Sequence, residues 1–291
     1  MSTYAFRILN VFAESTFGGN QLCVFEDARG MDDATMQALA LQFNLSETTF
    51  ILPSERANAR VRIFTPGYEM RFAGHPTLGT AHVVRDLANT GDALSLNALS
   101  LEFTAGVVPV LAEGDVWTFT APQPGGLKTA AANMTRAGMA ALLSLKEDNL
   151  LAAPLWVDTG TDQLLVALRS TDAVRRARPD SAQIDVWPES SLERKTVYVF
   201  AFDPERPGRV LSRYFFAKQG GGVVEDPGTG SACANLGGWL IANGHALPAE
   251  YNVEQGEAVQ RPCLLRLKVT ADSAIQVGGK VIEIGRGKIS L

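Results

Sequence analysis

The chain is predicted to be an α+β protein of two homologous, pseudo-symmetric lobes, and three observations predict it. Short segments with strand-like alternation recur along its whole length. A few helical segments interrupt them, one with a complete apolar face. Two pieces of the first half reappear, in the same order, in the second. At 291 residues the chain also exceeds the size of an ordinary single core.

The strand segments come first. "YAFRILNVF" at 4–12, "QLCVF" at 21–25 and "RVRIF" at 60–64 alternate apolar and polar residues. "DDATMQALALQFN" at 32–44 predicts a helix: its acids lie in the first turn, where they complement the dipole, and Met36, Leu39, Ala40 and Phe43 share a face. Residues 99–122 read as two or three strands joined by glycine-containing turns, and "APQPGG" at 121–126 as a linker. A helix near 133–145 and strands near 163–168, 196–202 and 210–217 follow. The ending, "AIQVGGKVIEIGRGKIS", predicts strands around a Gly-Gly turn.

The repeat carries more information. Without gaps, "RIFTPGYEMRFAGHPTLGTA" at 62–81 aligns with "RYFFAKQGGGVVEDPGTGSA" at 213–232. Arg62 meets Arg213, Phe64 meets Phe215, Pro76 meets Pro227, Gly79 meets Gly230, Ala81 meets Ala232, and Thr80 meets another hydroxyl, Ser231. The shared core is [His/Asp]-Pro-x-x-Gly-[Thr/Ser]-Ala, with His75 in one copy and Asp226 in the other. Earlier in each half, "GGNQLCV" at 18–24 pairs with "GTDQLLV" at 160–166. Two homologous lobes follow, with a site expected in the cleft where the two turns face each other.

Composition excludes several classes. Apolar residues at 46% and charged residues at 20% describe a globular chain, and a net charge of −5 argues against nucleic acid. The three cysteines, Cys23, Cys233 and Cys263, have no paired spacing and fit a reducing cytoplasm. The opening residues carry no basic-then-apolar signal pattern. Residues 227–249 lack formal charge, but five glycines, two asparagines and a histidine interrupt them, so they read as a buried turn and helix rather than a membrane span. A soluble, cytoplasmic protein is expected.

Each repeated turn precedes a predicted helix, at 77–88 and 231–242. The first N–H groups of a helix lack internal partners and lie at the positive end of its dipole, so they bind anions. Glycine admits close approach, and threonine or serine adds a donor, which makes Gly228, Thr229, Gly230 and Ser231 candidate substrate-binding residues. For either turn alone a capped helix is the ordinary explanation; their pairing favours two anion-binding ends for a small carboxylate. Phosphate fits worse. There is no G-x-x-x-x-G-K-[ST], "GTGSAC" lacks the third glycine of the dinucleotide fingerprint, and Glu225 and Asp226 would repel a phosphate. His75, His82 and His245 form no metal-binding spacing, so no metal is expected.

Proton chemistry remains. His75 and Asp226 offer one titratable group from each lobe, a layout for moving a proton on a substrate. Glu47 in "FNLSETTFIL" opens an apolar strand and is the third candidate, although such an acid is more often solvated. Cys233 sits at a helix start, but its repeat partner is His82 and Cys23 pairs with Leu165, so the cysteines read as buried and inert.

"FAGHPTLGTA", "EDPGTGSACANLG", "FGGNQLCVF" and "NLSETTF" resemble the signature segments of the phenazine-biosynthesis PhzF-like isomerase family, from "RILNVFAESTFGGN" to "GRGKISL". That family shares its fold with diaminopimelate epimerase. The resemblance implies that each lobe is a curled, mostly antiparallel sheet around a central helix. It implies an N-terminal lobe at 1–121, completed by a C-terminal strand at 281–291, and a C-terminal lobe at 127–280. Glu47 matches the family's principal acid/base, His75 its active-site histidine, Asp226 the opposing aspartate and Ser231 the serine after that loop. Gly74 and Asn20 fall in the matching segments as substrate contacts. The named reaction is isomerisation of trans-2,3-dihydro-3-hydroxyanthranilate, without metal or organic cofactor, and family members are commonly homodimers. Gln21 and Gly228 depart from the more usual proline and alanine, both beside the expected cleft.

The leading expectation is a cofactor-independent isomerase of a small carboxylate, with Glu47 as proton shuttle and Asp226 and His75 orienting the substrate. The alternatives are an epimerase or racemase of a small amino or hydroxy acid on the same scaffold, and a non-catalytic small-acid binding protein. Neither nucleic acid nor membrane is an expected partner.

Overall fold

A computed structural model describes residues 2–88, 97–123, 125–218 and 221–291. Pro124 of the expected linker, and Gln219 and Gly220 of the aligned repeat, lie outside the described residues. The fold is mixed α/β, and the chain divides into two compact units: residues 1–120 with 278–291, and residues 121–277.

The first unit contains β1 (Thr3–Val11), β2 (Asn20–Phe25), α1 (Asp33–Phe43), β3 (Glu47–Leu52), β4 (Ala59–Phe64), β5 (Glu69–Met70), α2 (Gly74–Ala88), β6 (Ala98–Phe103), β7 (Gly106–Glu113) and β8 (Val116–Thr120). Asp32 caps α1 by accepting from the Thr35 N–H at 2.7 Å, and left-handed Asn44 ends it. Met36, Leu39 and Ala40 of α1 are buried against Phe25, Phe50 and Phe64. Successive pairings run β1–β2–β3–β4–β6–β7–β8, and the last strand, β17 (Ile275–Ser290), pairs with both β8 and β1. The strands of this unit therefore form a closed ring, which leaves no unpaired edge among these members. Helix α2 touches β1, β2, β3, β4, β6 and β8, so it fills the ring. Its close approach requires Gly79: a Cβ there would lie 2.4 Å from Leu22 Cδ2 and 3.0 Å from Val11 Cγ2.

The second unit contains β9 (Lys128–Ala131), α3 (Arg136–Leu142), β10 (Leu155–Asp158), β11 (Asp162–Ala167), α4 (Thr171–Arg176), β12 (Thr196–Phe202), β13 (Arg209–Ala217), β14 (Val223–Asp226), α5 (Gly230–Ala242), β15 (Ala249–Gln255) and β16 (Cys263–Val269). In each unit, two pairs of strands are parallel, and each pair is bridged by a helix. These are β2 with β3 and β4 with β6 in the first, and β11 with β12 and β13 with β15 in the second. Parallel neighbours need such crossovers, so the shared pattern is a shared topology rather than a likeness of sequence alone. Helix α5 packs on β10, β11 and β16. No helix of the described residues is long and apolar enough to cross a membrane.

Two expectations are corrected. The Gly-Gly of the C-terminal segment makes no turn, because β17 runs unbroken through Gly278 and Gly279. Gly278 is needed for contact instead: a Cβ would lie 2.5 Å from Thr118 Oγ1 and 2.8 Å from the Trp117 carbonyl oxygen. The segment read as a linker starts where the second unit begins, and its first residues bond within that unit, the Ala121 N–H to Ile275 and the Gln123 N–H to Thr159. The two repeated turns also differ locally. Helix α2 begins at Gly74, whereas α5 begins only at Gly230, so His75 lies inside its helix while its aligned partner Asp226 ends a strand.

The glycine contact is testable on one strand. Gly278→Ala should cost about 1–3 kcal/mol in urea unfolding, as overpacking against fixed backbone does. Gly285→Ala, where a Cβ meets nothing within 4 Å, should change stability by no more than about 0.5 kcal/mol.

Candidate functional site

In the first unit three chain segments meet. Glu47 is the first residue of β3, Asn20 the first of β2, and His75 the second of α2. Because β2 and β3 are parallel neighbours, with Leu22 opposite Glu47, both carry their first residues to the same end of the ring. His75 is buried, and its Nε2 stands 3.0 Å from Glu47 Oε2. The Nε2–H is better aligned with the Gln21 carbonyl at 3.4 Å, so Oε2 sits beside the hydrogen-bond axis rather than on it. On the other side Ser46 donates to Asn20 Oδ1 at 3.0 Å, which turns the amide nitrogen of Asn20 toward His75 Nδ1 at 3.4 Å. An amide nitrogen only donates, so Nδ1 accepts and the proton resides on Nε2. Burial pushes the imidazole down to about 3, with the Gln21 carbonyl opposing that shift. Near neutral pH, His75 is therefore an uncharged donor beside Glu47. Gly74 is buried at the helix start, next to it.

In the second unit Asp226 closes β14, opposite Tyr214 of β13. Strand β13 divides its pairing: Arg209–Leu211 bond β15, and Tyr214–Ala217 bond β14. Gln255, the last residue of β15, fills the seam. Its amide donates to the Asp226 carbonyl at 2.9 Å and to Thr229 Oγ1 at 3.0 Å, and its oxygen accepts from the Thr229 N–H at 3.3 Å. Thr229 Oγ1 in turn donates to Asp226 Oδ2. Both donors of Thr229 are thus engaged inside the turn, and Asp226 is held as an acceptor. Gly256 adds a close contact, since a Cβ there would lie 2.5 Å from the Pro227 carbonyl oxygen. The preceding Glu225 makes a buried two-bond pair with Arg213, whose remaining nitrogen caps α4 through the Ala177 carbonyl at 2.7 Å. Gly230 opens α5, Gly228 lies in the turn before it, and Ser231 Oγ accepts from Gln163 Nε2 at 3.0 Å.

The structure therefore brings Glu47, His75, Asn20 and Gly74 together in one unit, and Asp226, Gly228, Thr229, Gly230 and Ser231 in the other. Gln255, Gln163 and Asn235 were absent from the sequence reading. Gln163 lay in a repeated segment and Asn235 in the signature segment at 225–237, but an amide announces no partner; nothing local marked Gln255. The cysteines are buried, and burial pushes the Cys23 and Cys233 thiols up, away from reactivity. Among the described residues no three metal-ligating side chains converge.

Comparison with known proteins adds kinship. A family profile described as "Phenazine biosynthesis-like protein" (PhzC-PhzF) matches residues 9–287. An uncharacterized isomerase of Pasteurella multocida is 38% identical over 291 residues, covering 99% of this chain and 95% of its own. The trans-2,3-dihydro-3-hydroxyanthranilate isomerase of Pseudomonas fluorescens is 32% identical over 297 residues, covering 98% of each. A crystal structure of a Bacillus anthracis phenazine biosynthesis protein of the PhzF family superposes over 100% of both chains with a TM-score of 0.84, at 21% identity, a likeness of fold.

The buried imidazole has a pH signature. It titrates at about 3 when folded and near 6.5 when unfolded, so between those values the unfolded chain binds more protons. Its contribution to stability is complete above 6.5 and is lost as pH falls toward 3, by about 1.4 kcal/mol per pH unit at the steepest. Urea unfolding at about pH 7 and about pH 5 should show a smaller loss in His75→Gln than in the wild type.

Proposed function

The chain belongs to the phenazine biosynthesis-like (PhzC-PhzF) family and is a PhzF-like isomerase, and from that premise we propose that it moves a proton on a small carboxylate by carboxylate acid/base catalysis. The observation that carries this reading is the Glu47 carboxylate 3.0 Å from an imidazole kept neutral by burial. Glu47 takes a proton from a C–H group, and the electron pair of that bond moves into the adjoining conjugated system. The resulting carboxylic acid returns the proton to a different carbon, so the substrate keeps its atoms and oxidation level. His75 stays uncharged beside Glu47, its Nε2–H directed to the Gln21 carbonyl, so it orients the site without exchanging its own charge state near neutral pH.

In the same reading Asp226 orients the substrate. Ser231, with the backbone at Gly228 and Gly230, receives the substrate's anionic group, where the start of α5 favours negative charge. Gly74 and Asn20 serve as further substrate contacts. Thr229 serves by holding Asp226 rather than by binding, because both its donors are engaged. The substrate named for the Pseudomonas relative, trans-2,3-dihydro-3-hydroxyanthranilate, has the required carboxylate and ring C–H group and is the first compound to assay.

In D2O, turnover should place solvent deuterium at a ring carbon of that compound. Glu47→Gln should slow the reaction by about 10²- to 10⁴-fold. Full turnover by Glu47→Gln would sink the assignment, and deuterium entering only the α-carbon of a free amino acid would point to epimerisation instead.

A further inference from the structure

Ser231 owes its orientation to a chain of amides whose polarity can be read from one unambiguous donor. A backbone N–H can only donate, and that of Thr159 lies 2.9 Å from Asn235 Oδ1, joined there by Thr159 Oγ1 at 2.7 Å. The oxygen end of Asn235 is thereby assigned, and its nitrogen must face the other way. It does: Nδ2 donates to the Thr161 carbonyl at 2.9 Å and to Gln163 Oε1 at 2.8 Å. That contact assigns the oxygen of Gln163 in turn, so its nitrogen faces Ser231 Oγ at 3.0 Å and Tyr214 Oη at 3.3 Å. Asn235 is fully enclosed, and Gln163 and Thr159 are buried. Every hydrogen and acceptor of both amides is used, so turning either amide over would set two acceptors, or two donors, face to face without water to relieve them.

The consequence falls on Ser231. Its oxygen accepts from Gln163, so its own hydrogen must point elsewhere, and among the described residues no acceptor takes it. The repeat supplies the contrast. Thr80, aligned with Ser231, is completely buried, and its hydroxyl is 2.9 Å from that of Thr49, so that hydroxyl is consumed within its own unit.

We propose that Gln163 and Asn235 are positioning residues that lock the Ser231 hydroxyl as a hydrogen-bond donor, so that the start of α5 takes a group presenting acceptors only, a carboxylate. This rests on the proposed role of Ser231 as the contact for the substrate's anionic group. The relay itself is a property of the ground state and is tested without turnover.

Neutron diffraction from perdeuterated crystals of the full chain reads the relay directly. Both deuterons of the Gln163 amide should point at Ser231 and Tyr214, and the Ser231 deuteron should point away from Gln163. A Ser231 deuteron on the line to Gln163 overturns the proposal, whatever the enzyme's reaction proves to be. Benzoate, a simple carboxylate probe, reads the consequence by calorimetry. Gln163→Glu replaces the donor facing Ser231 by an acceptor and should turn the serine hydroxyl inward, weakening benzoate on the order of tenfold. In a Ser231→Ala background the same change should have little effect, whereas a purely structural or charge effect would be equal in both backgrounds and would refute the lock. Gln163→Met, which removes the donor without adding an acceptor or a charge, should weaken benzoate less than Gln163→Glu; an equal loss counts against the proposal. Absence of benzoate binding to the wild type overturns the carboxylate specificity while leaving the neutron result to judge the relay. Loss of isomerase activity in Glu47→Gln bears on neither arm.

Discussion

Enclosing a helix from its first residues onward is the constraint on which the rest of this structure depends. Residues 74–81 of α2 are all buried, and α5 is buried at Gly230 and from Ala232 to Leu240. Close approach to the surrounding strands demands small residues, which Gly79 provides in α2, and Gly237 and Gly238 in α5. Enclosure also means that any polar group near these helices must be matched by a protein partner or carry a large penalty. Thr77 bonds the Ala73 carbonyl, Thr80 meets Thr49, and Asn235 satisfies Thr159, Thr161 and Gln163. The chemically interesting groups are those that the same enclosure leaves near its rim: Glu47 and His75 in one unit, Asp226 and Ser231 in the other.

Much of this was legible in the sequence because it is local. Asp32 and Asn44 mark the ends of α1, and the strand read at 196–202 is β12 with the same bounds. The repeated pair "GGNQLCV" and "GTDQLLV" corresponds to β2 and β11, whose bounds fall on aligned residues throughout. The signature segments named Glu47, His75, Asp226 and Ser231, and the fold sets Glu47 beside His75 and Asp226 just ahead of the helix that carries Ser231. What escaped was decided by distant partners. Gly278 looked like a turn because glycine permits one, but its neighbours, Trp117 and Thr118, lie far away in the chain. The shifted start of α5 relative to α2 depends on Gln255, which reaches across from another strand to hold Asp226 and Thr229 outside the helix. No window of sequence around residue 226 contains that residue.

The two units also show how a duplicated plan diverges. Their strand connections agree, yet equivalent hydroxyls have opposite fates, Thr80 sealed against Thr49 and Ser231 held at the start of its helix. The first unit places a neutral histidine at the second position of its helix, and the second unit places a serine there. A carboxylate precedes the helix in both chains of connection, Glu47 on a neighbouring strand and Asp226 on the strand leading in. Corresponding positions of the two units thus carry different polar side chains.

The long strand β17 sets the order of events during synthesis. Its first residues belong to the second unit, and from Gly278 onward it belongs to the first, where it pairs with β1 from Thr3 to Val11. The ring that encloses α2 therefore lacks one stave until residues 278–291 have left the ribosome. All of residues 121–277 must be translated in the meantime, a wait of roughly 8 to 30 s at common elongation rates. Throughout that interval β1 offers an open edge and α2 an uncovered side, so the nascent first unit is the stage at which a chaperone has the most to bind. The second unit, whose own strands are complete by Val277, is free to fold before the first one closes.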